Sequence, residues 1–406
     1  MSVAERLASY CRIDTQSDPA SGTHPSSKKE FDLADVLVKQ LKELGLEDAV
    51  LDEHCYIYAH LESNLDHETK TVGFIAHMDT APDFSGTGVN PRIIKDYDGE
   101  DIVLKEGVVT KVSDFPYMKT LKGKTLMVTD GNTLLGADDK AGITAIMEAL
   151  VYWKEHPEAK HGRIAVAFTP DEEIGEGPMF FDVKQLGADL AYTMDGDAVH
   201  VMSDETFNAA SAEIKAKGFS IHPGEAKDRM INAAAACCDF QASLPEAMTP
   251  EHTEGKEGFI HLISFEGNTE EAHMGYILRD HDAGKLEEKK QLMQDLVSYI
   301  NRKYGEGTLS IEIKDSYHNM KEVLKDHPEV SGIAWKAIED CGLVPENVPI
   351  RGGTDGSQIS FMGLPCPNLG TGGGNFHGRY EYCVMEELET AVKVIIRIAE
   401  LVSQEE

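Results

Sequence analysis

Apolar and polar positions change their spacing twice along this chain, and the changes divide it into three stretches. Through about residue 205, short apolar runs alternate with segments of helical spacing. Phe31, Leu33, Ala34, Leu37, Leu41 and Leu44 recur every three to four residues behind Ser27-x-x-Glu30, a capping-box pattern, and predict a helix that Gly45 stops. Residues 2–12 predict a shorter helix. Strands are expected near 55–61, 71–77, 126–129, 164–169 and 190–194. The runs at 164–169 and 190–194 are continuously apolar, as in strands buried on both faces. A helix with Ile143, Ile146, Leu150 and Val151 as its buried stripe falls between two of these strands. Residues 81–123, rich in Gly, Pro and Asp, predict a long excursion near the end of the strand that closes at His77. The alternation predicts an α/β fold: an open, mostly parallel sheet with flanking helices, its site at the carboxyl edge of the strands.

Beyond residue 205 the period becomes two. Segments 208–219, 257–265, 272–280 and 308–315 alternate as strands with one buried face, with Met274, Tyr276 and Leu278 sharing a side. Helices are expected at 229–242 and 283–303, the second with Leu286, Met293, Leu296, Val297 and Ile300 together. The order βαββαβ is a compact two-layer unit. The first style resumes near 318 with a helix at 328–341, two glycine-rich loops (351–357 and 372–378), and a terminal helix carrying Leu388, Val392, Ile395, Ile396, Ala399 and Val402. The predicted organisation is a first domain in two parts, 1–206 and 318–406, interrupted by an inserted domain at 207–317.

Composition narrows the class. The 406 residues are 41% hydrophobic and 27% charged, the balance of a soluble globular protein. Thirty-eight basic residues stand against 71 acidic ones, a net charge of −33, which repels phosphate and argues against nucleic-acid and anionic-membrane partners. No apolar run approaches the ~18–20 residues of a membrane helix. Met1-Ser2-Val3-Ala4-Glu5-Arg6 has no basic region ahead of an apolar core, so no signal peptide is expected. Seven scattered cysteines without a C-x-x-C pair predict reduced thiols and a cytoplasmic setting.

The chemistry gathers where strands end. His77 and Asp79 are two apart at the close of an apolar run, so strand geometry points them to one face. Asp138-Asp139-Lys140 lies between glycines and serves equally well as a helix N-terminus, where acids favour the dipole. Among 71 acids, about a dozen adjacent pairs arise by chance, so Glu172-Glu173 is singled out by its place after a six-residue apolar strand. Asp195 follows another strand and could simply open a turn. His77 alone reads as a core histidine, and His377 as an exposed one. Taken together, two histidines and three carboxylates are a nitrogen–oxygen donor set suited to zinc, with cobalt or manganese tolerated. One bridging carboxylate would let five ligands serve two metals with an open position on each.

His77-Met78-Asp79, Gly136-Ala137-Asp138-Asp139-Lys140, Asp171-Glu172-Glu173, Asp195-Gly196 and Asn375-Phe376-His377-Gly378 resemble the motif series of the M20 co-catalytic metallopeptidases. Further stretches, including Asp79-Thr80-Ala81-Pro82 and Arg351-Gly352-Gly353-Thr354-Asp355-Gly356, are similar to the tripeptide aminopeptidases within that family. The resemblance implies a zinc-exopeptidase-like catalytic domain and an inserted lid and dimerisation domain. It implies two zinc ions per subunit, one held by His77, Asp138 and Asp195 and the other by Asp138, Glu173 and His377. Asp79 would orient His77, and Glu172 would be the general base toward a metal-bound water. His222, before a Pro-Gly turn, is similar to the family's oxyanion-stabilising lid histidine; by itself it reads as a surface residue. Arg279 and Arg351 are candidates for substrate binding, because a guanidinium fork matches a carboxylate, and Asn232 is a further candidate. Each reads equally as a structural residue. The implied activity releases the N-terminal residue of tripeptides, and the implied partner is a second copy of the chain, giving a homodimer. A dipeptidase or N-acyl amino acid deacylase would use the same two-metal chemistry. A non-catalytic acidic metal-binding protein would have no use for the spare carboxylate at Glu172.

Overall fold

The computed structural model describes residues 1–404; the acidic pair Glu405-Glu406 lies outside them. The chain divides into two units. The larger comprises Met1–Asp204, Val323–Val348 and Thr354–Glu406, the smaller Glu205–Glu322 and Pro349–Gly353. The insert therefore extends a few residues beyond the expected 207–317 at each end. It also takes back 349–353, which places Arg351 in the smaller unit and not in the second catalytic segment. Backbone pairing is the reason: Ile350 N–H donates to Glu205 O at 2.9 Å, and Phe207 N–H to Gly352 O at 3.3 Å.

An eight-stranded sheet organises the larger unit. Its strand order is Val50–Leu51, Ile57–Leu61, Ile164–Thr169, Val72–His77, Leu190–Gly196, Asn368–Gly370, Val201–Ser203 and Glu346–Asn347. The four central strands run parallel to one another, and Ile57–Leu61 and Val201–Ser203 pair antiparallel with the outermost two of them. Val72–His77 and Ile164–Thr169 are buried at every position, which is why each reads as an unbroken apolar run. Parallel direction brings their carboxyl ends out along one edge, with His77 beside Thr169 in register.

The helices Ala137–Glu155 and Met385–Val402 cover one face, burying Ile143, Ile146, Leu388 and Ile395 against Phe74 and Val166. Tyr56, Tyr58, Ile359 and Leu364 cover the other with Ile75 and Ala167. Each large side chain so buried contributes roughly 1.5–3 kcal/mol.

Three local readings are corrected. The helix expected from Ser27 starts at Glu30: the Glu30 carboxylate reaches back to Ser27 N–H at 3.1 Å, but Lys29 occupies the cap position and its side chain caps no backbone N–H. Leu126–Val128 is a strand, yet it pairs in a separate four-stranded sheet with Arg92–Ile94 and Tyr382–Val384. The loop at 351–357 gives way to a helix, Asp355–Phe361, because Thr354 and Ser357 form a reciprocal capping box.

The smaller unit has strands Asn208–Lys217, Phe259–Gly267, Glu271–Asp280 and Leu309–Tyr317 in one antiparallel sheet. Helices Ala233–Ser243 and Ala283–Tyr304 interleave with them in the order βαββαβ, and Phe240, Met293 and Ile300 pack on Ile214, Met274 and Tyr276. Among the described residues no helix is long and apolar enough to cross a membrane.

Candidate active site

The last residue of the strand Val72–His77 carries a nearly buried imidazole, 2% exposed. Its Nδ1 lies 3.1 Å from the Asp79 backbone oxygen and 3.2 Å from Asp79 Oδ1. Both are acceptors, so Nδ1 carries a proton, and Nε2 is directed away from Asp79. Nε2 faces Asp138 Oδ1 at 3.0 Å, Asp195 Oδ1 at 3.6 Å and Glu172 Oε2 at 4.0 Å. Asp195 comes from the end of the adjacent parallel strand, and Glu172 from the turn after Ile164–Thr169.

His377 approaches from the glycine-rich loop at 372–378, its side chain 47% exposed. Its Nε2 lies 3.0 Å from Glu173 Oε2 and 3.3 Å from Asp138 Oδ2. Asp138 thus turns one oxygen to each histidine. Its neighbour Asp139 faces the backbone instead, accepting His77 N–H at 3.3 Å and Gly142 N–H at 3.0 Å. The two acids of the pair thus face different partners: Asp138 faces the histidines, and Asp139 accepts backbone N–H groups at the helix start.

Supporting groups hold these atoms in place. The fully buried carboxylate of Asp79 accepts Glu172 N–H at 3.0 Å and Glu173 N–H at 3.1 Å. Glu381 accepts three backbone N–H groups of the turn that carries Asp138: Leu135 at 2.7 Å, Gly136 at 2.8 Å and Asp138 at 3.1 Å. Gly136 sits at φ +77° there, a conformation natural to glycine. Glu30 accepts Asp171 N–H at 3.2 Å, and Asp355 accepts the Thr169 hydroxyl at 2.7 Å. Sequence reasoning missed the site role of these three. Glu30 carries only a capping signal, Asp355 lies within a glycine-rich stretch that marks no role for it, and Glu381 has no local signal.

The electrostatics are those of anions packed more densely than protein cations can offset. Burial and the charge of Asp195 hold the Glu172 carboxyl well above its ordinary range. Burial and Asp138 push Glu173 up to about 8, and burial pushes Asp195 to about 6. Burial alone would lower His77, but hydrogen bonds to Asp138, Asp195 and Asp79 outweigh it and leave the ring well above its usual value. Hydrogen bonds to Asp138 and Glu173 push His377 up to about 11. Asp138 moves the other way: burial is outweighed by the two histidines, and its carboxyl falls below the usual range. Glu173 Oε1 is buried with no hydrogen-bond partner. One donor atom from each of His77, Asp138 and Glu173, and likewise of His77, Glu172 and Asp195, lies within 4.8 Å of its companions. An orphaned buried carboxylate oxygen within a nitrogen–oxygen donor set fits divalent zinc, cobalt or manganese.

The four candidate substrate residues all lie in the smaller unit. His222 is exposed, its Nδ1 accepting Gly224 N–H at 3.1 Å. Asn232 caps the helix Ala233–Ser243 through Ala235 N–H. Arg279 donates to Leu278 O at 2.9 Å and Ala210 O at 3.2 Å, with its guanidinium over Tyr317. Arg351 donates to Gly255 O and Glu257 O at 2.8 Å and packs over Phe207.

Histidines and carboxylates converging at the strand ends of an α/β sheet, with one carboxylate shared, form the architecture of a metallohydrolase. The chain belongs to peptidase family M20/M25/M40, which residues 126–401 match. It is 50% identical over 404 residues to Peptidase T of Geobacillus sp. (strain WCH70), covering 99% of this chain and 98% of that protein. Peptidase T of Lysinibacillus sphaericus (strain C3-41) is 52% identical over 402 residues, with 99% and 98% covered. The fold is shared with the solved aminopeptidase PepT of Bacillus cereus, at a TM-score of 0.78, 24% identity and coverage of 99% and 98%. A tripeptidase from Staphylococcus aureus gives 0.79 at 22% identity, with the same coverage. A structure from Bacillus subtilis, described as a dinuclear metal binding peptidase of the M20 family, gives 0.66 at 14% identity and covers 98% and 97%.

Proposed function

We propose that this peptidase is a metal-dependent aminopeptidase that releases the N-terminal residue of tripeptides. The observation that carries the reading is Asp138, with one oxygen 3.0 Å from His77 and the other 3.3 Å from His377. His77, Asp138 and Asp195 would hold one zinc ion, and Asp138, Glu173 and His377 a second, with cobalt or manganese able to substitute. Two such ions, when bound, polarise the scissile carbonyl and lower the pKa of water.

The chain's own residues supply the proton transfers. Glu172 belongs to neither proposed trio, yet its Oε2 lies 4.0 Å from His77 Nε2. Its backbone is tied to Asp79, and its carboxyl holds a proton more readily than an ordinary glutamate. That combination suits a group that takes a proton from the attacking water and returns it to the leaving amine. Asp79 orients the His77 ring by accepting its Nδ1–H, which raises the basicity of Nε2. His222 as oxyanion donor, and Arg279, Arg351 and Asn232 as substrate contacts, rest on the sequence motifs alone. So does a homodimer through the inserted domain. Scattered free cysteines support a cytoplasmic setting.

The test is an assay of di-, tri- and tetrapeptides and an N-acylated tripeptide, with metal content measured on the same sample. Release of the first residue from free tripeptides is expected. Preferential hydrolysis of the N-acylated substrate would replace this reading with a deacylase.

A further inference from the structure

A second histidine–carboxylate group lies outside the cluster described above, and two of its members, Asp171 and Glu176, bound the turn that carries Glu172. We infer that His24, Asp171 and Glu176 form a separate mononuclear site for a divalent transition-metal cation. His24 precedes the helix Glu30–Glu43 in a loop and is only 6% exposed in its side chain; Asp171 is fully buried. The His24 Nε2 lies 3.0 Å from the Tyr56 hydroxyl. That hydroxyl gives its hydrogen to Gly177 O at 2.6 Å, and its oxygen accepts Phe180 N–H at 3.2 Å. Nε2 must therefore supply the proton in its contact with Tyr56.

The remaining nitrogen is the informative one. Nδ1 faces Asp171 Oδ2 at 3.1 Å and Glu176 Oε2 at 3.9 Å, yet it is buried and makes no hydrogen bond. Asp171 Oδ2 accepts Ser26 N–H at 2.7 Å, while Asp171 Oδ1 is buried with no partner. One nitrogen and one oxygen are thus unpartnered in the same small space. One donor atom from each of the three residues lies within 4.8 Å of the others. A tetrahedral ion with bonds of about 2.0–2.2 Å sets its ligands roughly 3.3–3.6 Å apart, and the two measured separations bracket that spacing. One imidazole and two carboxylates suit zinc, manganese or cobalt. Glu176, 41% exposed, leaves the site open to solvent for a water ligand and for loading. Such an ion would pin both ends of the turn 171–176, which holds Glu172 and Glu173.

The experiment counts metal in the full-length protein. Wild type, His24→Ala and Glu176→Gln are dialysed to equilibrium against low micromolar manganese, and bound metal is measured per chain. Each variant is expected to hold one equivalent fewer than wild type. After subtraction of the dialysate's own signal, the electron paramagnetic resonance of bound manganese should be weaker in both variants than in wild type. Equal metal content and an unchanged spectrum in Glu176→Gln would overturn the site and leave an internal ion pair between His24 and Asp171. Glu176 is exposed, so that variant tests the site even if His24→Ala fails to fold. The readout is a difference between proteins, so it does not depend on how many ions the His77 cluster holds.

Discussion

Asp79 Oδ1 accepts the backbone N–H of Glu172 at 3.0 Å while standing 3.2 Å from Nδ1 of His77. One oxygen atom thus sets both the orientation of the imidazole and the position of the proposed base. The remaining oxygen, Oδ2, takes Glu173 N–H at 3.1 Å. Residues on two neighbouring strand ends are therefore positioned by a single carboxylate.

Replacing that carboxylate should disturb metal and base together. An asparagine at 79 has one acceptor oxygen where three N–H groups converge, so it cannot serve them all. Asp79→Asn is expected to weaken metal binding about 10–100-fold and to lower kcat more than it changes KM. Metal titration alongside steady-state kinetics checks this. Unchanged metal affinity would show that the ring is held by other contacts.

Glu172→Ala should fold and retain its metal, because Glu172 lies outside both proposed ligand trios. Turnover is expected to fall by roughly 10²–10⁴-fold, the usual contribution of a general base. Near-normal turnover in that variant would sink the assignment.

Chelation should abolish hydrolysis, and zinc, cobalt or manganese should restore it. Metal removal should also lower the midpoint of thermal unfolding, since a ligand bound only by the native state stabilises it. Hydrolysis that resists exhaustive chelation would reject the metal reading.

Glu381→Ala should lower both stability and metal affinity. It leaves three backbone N–H groups without their acceptor, at about 1–3 kcal/mol for each that stays buried and unsatisfied. The turn they belong to carries Asp138, so its loosening reaches the proposed shared ligand. Thermal unfolding and metal titration, run in parallel on the variant, separate the two effects. A variant with wild-type stability and affinity would show that the turn holds itself.

Acid sensitivity has a defined source in the smaller unit. Burial alone would raise the Glu205 carboxyl, but Lys256 at 2.6 Å and Lys321 at 2.8 Å outweigh it and hold it below the ordinary range. A folded pKa below the unfolded one gives stability that is full above the unfolded value, near ~4.3. That stability is lost as pH falls through the folded pKa. Unfolding measured between pH 7 and pH 3 should therefore show a steeper acid loss in wild type than in Glu205→Gln. Parallel profiles would count against the ion pair.

Much of the site was legible because its residues sit at the ends of continuous apolar runs. His77, Glu172, Glu173 and Asp195 each follow a stretch whose local hydrophobicity announces a buried strand, and parallel strands end on one edge. The change of period near residue 205 likewise marked the insert, because a sheet with one covered face must alternate. These are properties of neighbours in the chain, and the amino-acid order alone determined them.

Tertiary structure decided what depends on distant partners. Asp138 and Asp139 are adjacent acids in one motif; only the folded chain turns the first to His77 and His377 and the second to backbone N–H groups. Glu381 had no signal because its three donors lie more than 240 residues earlier. Arg351 moved to the smaller unit through backbone pairing with residues 205 and 207, which no local pattern encodes. Hydrophobic periodicity reports which face of an element is buried. Which polar atom meets which depends on the path of the chain between them, and that is settled only when the sheets and loops close.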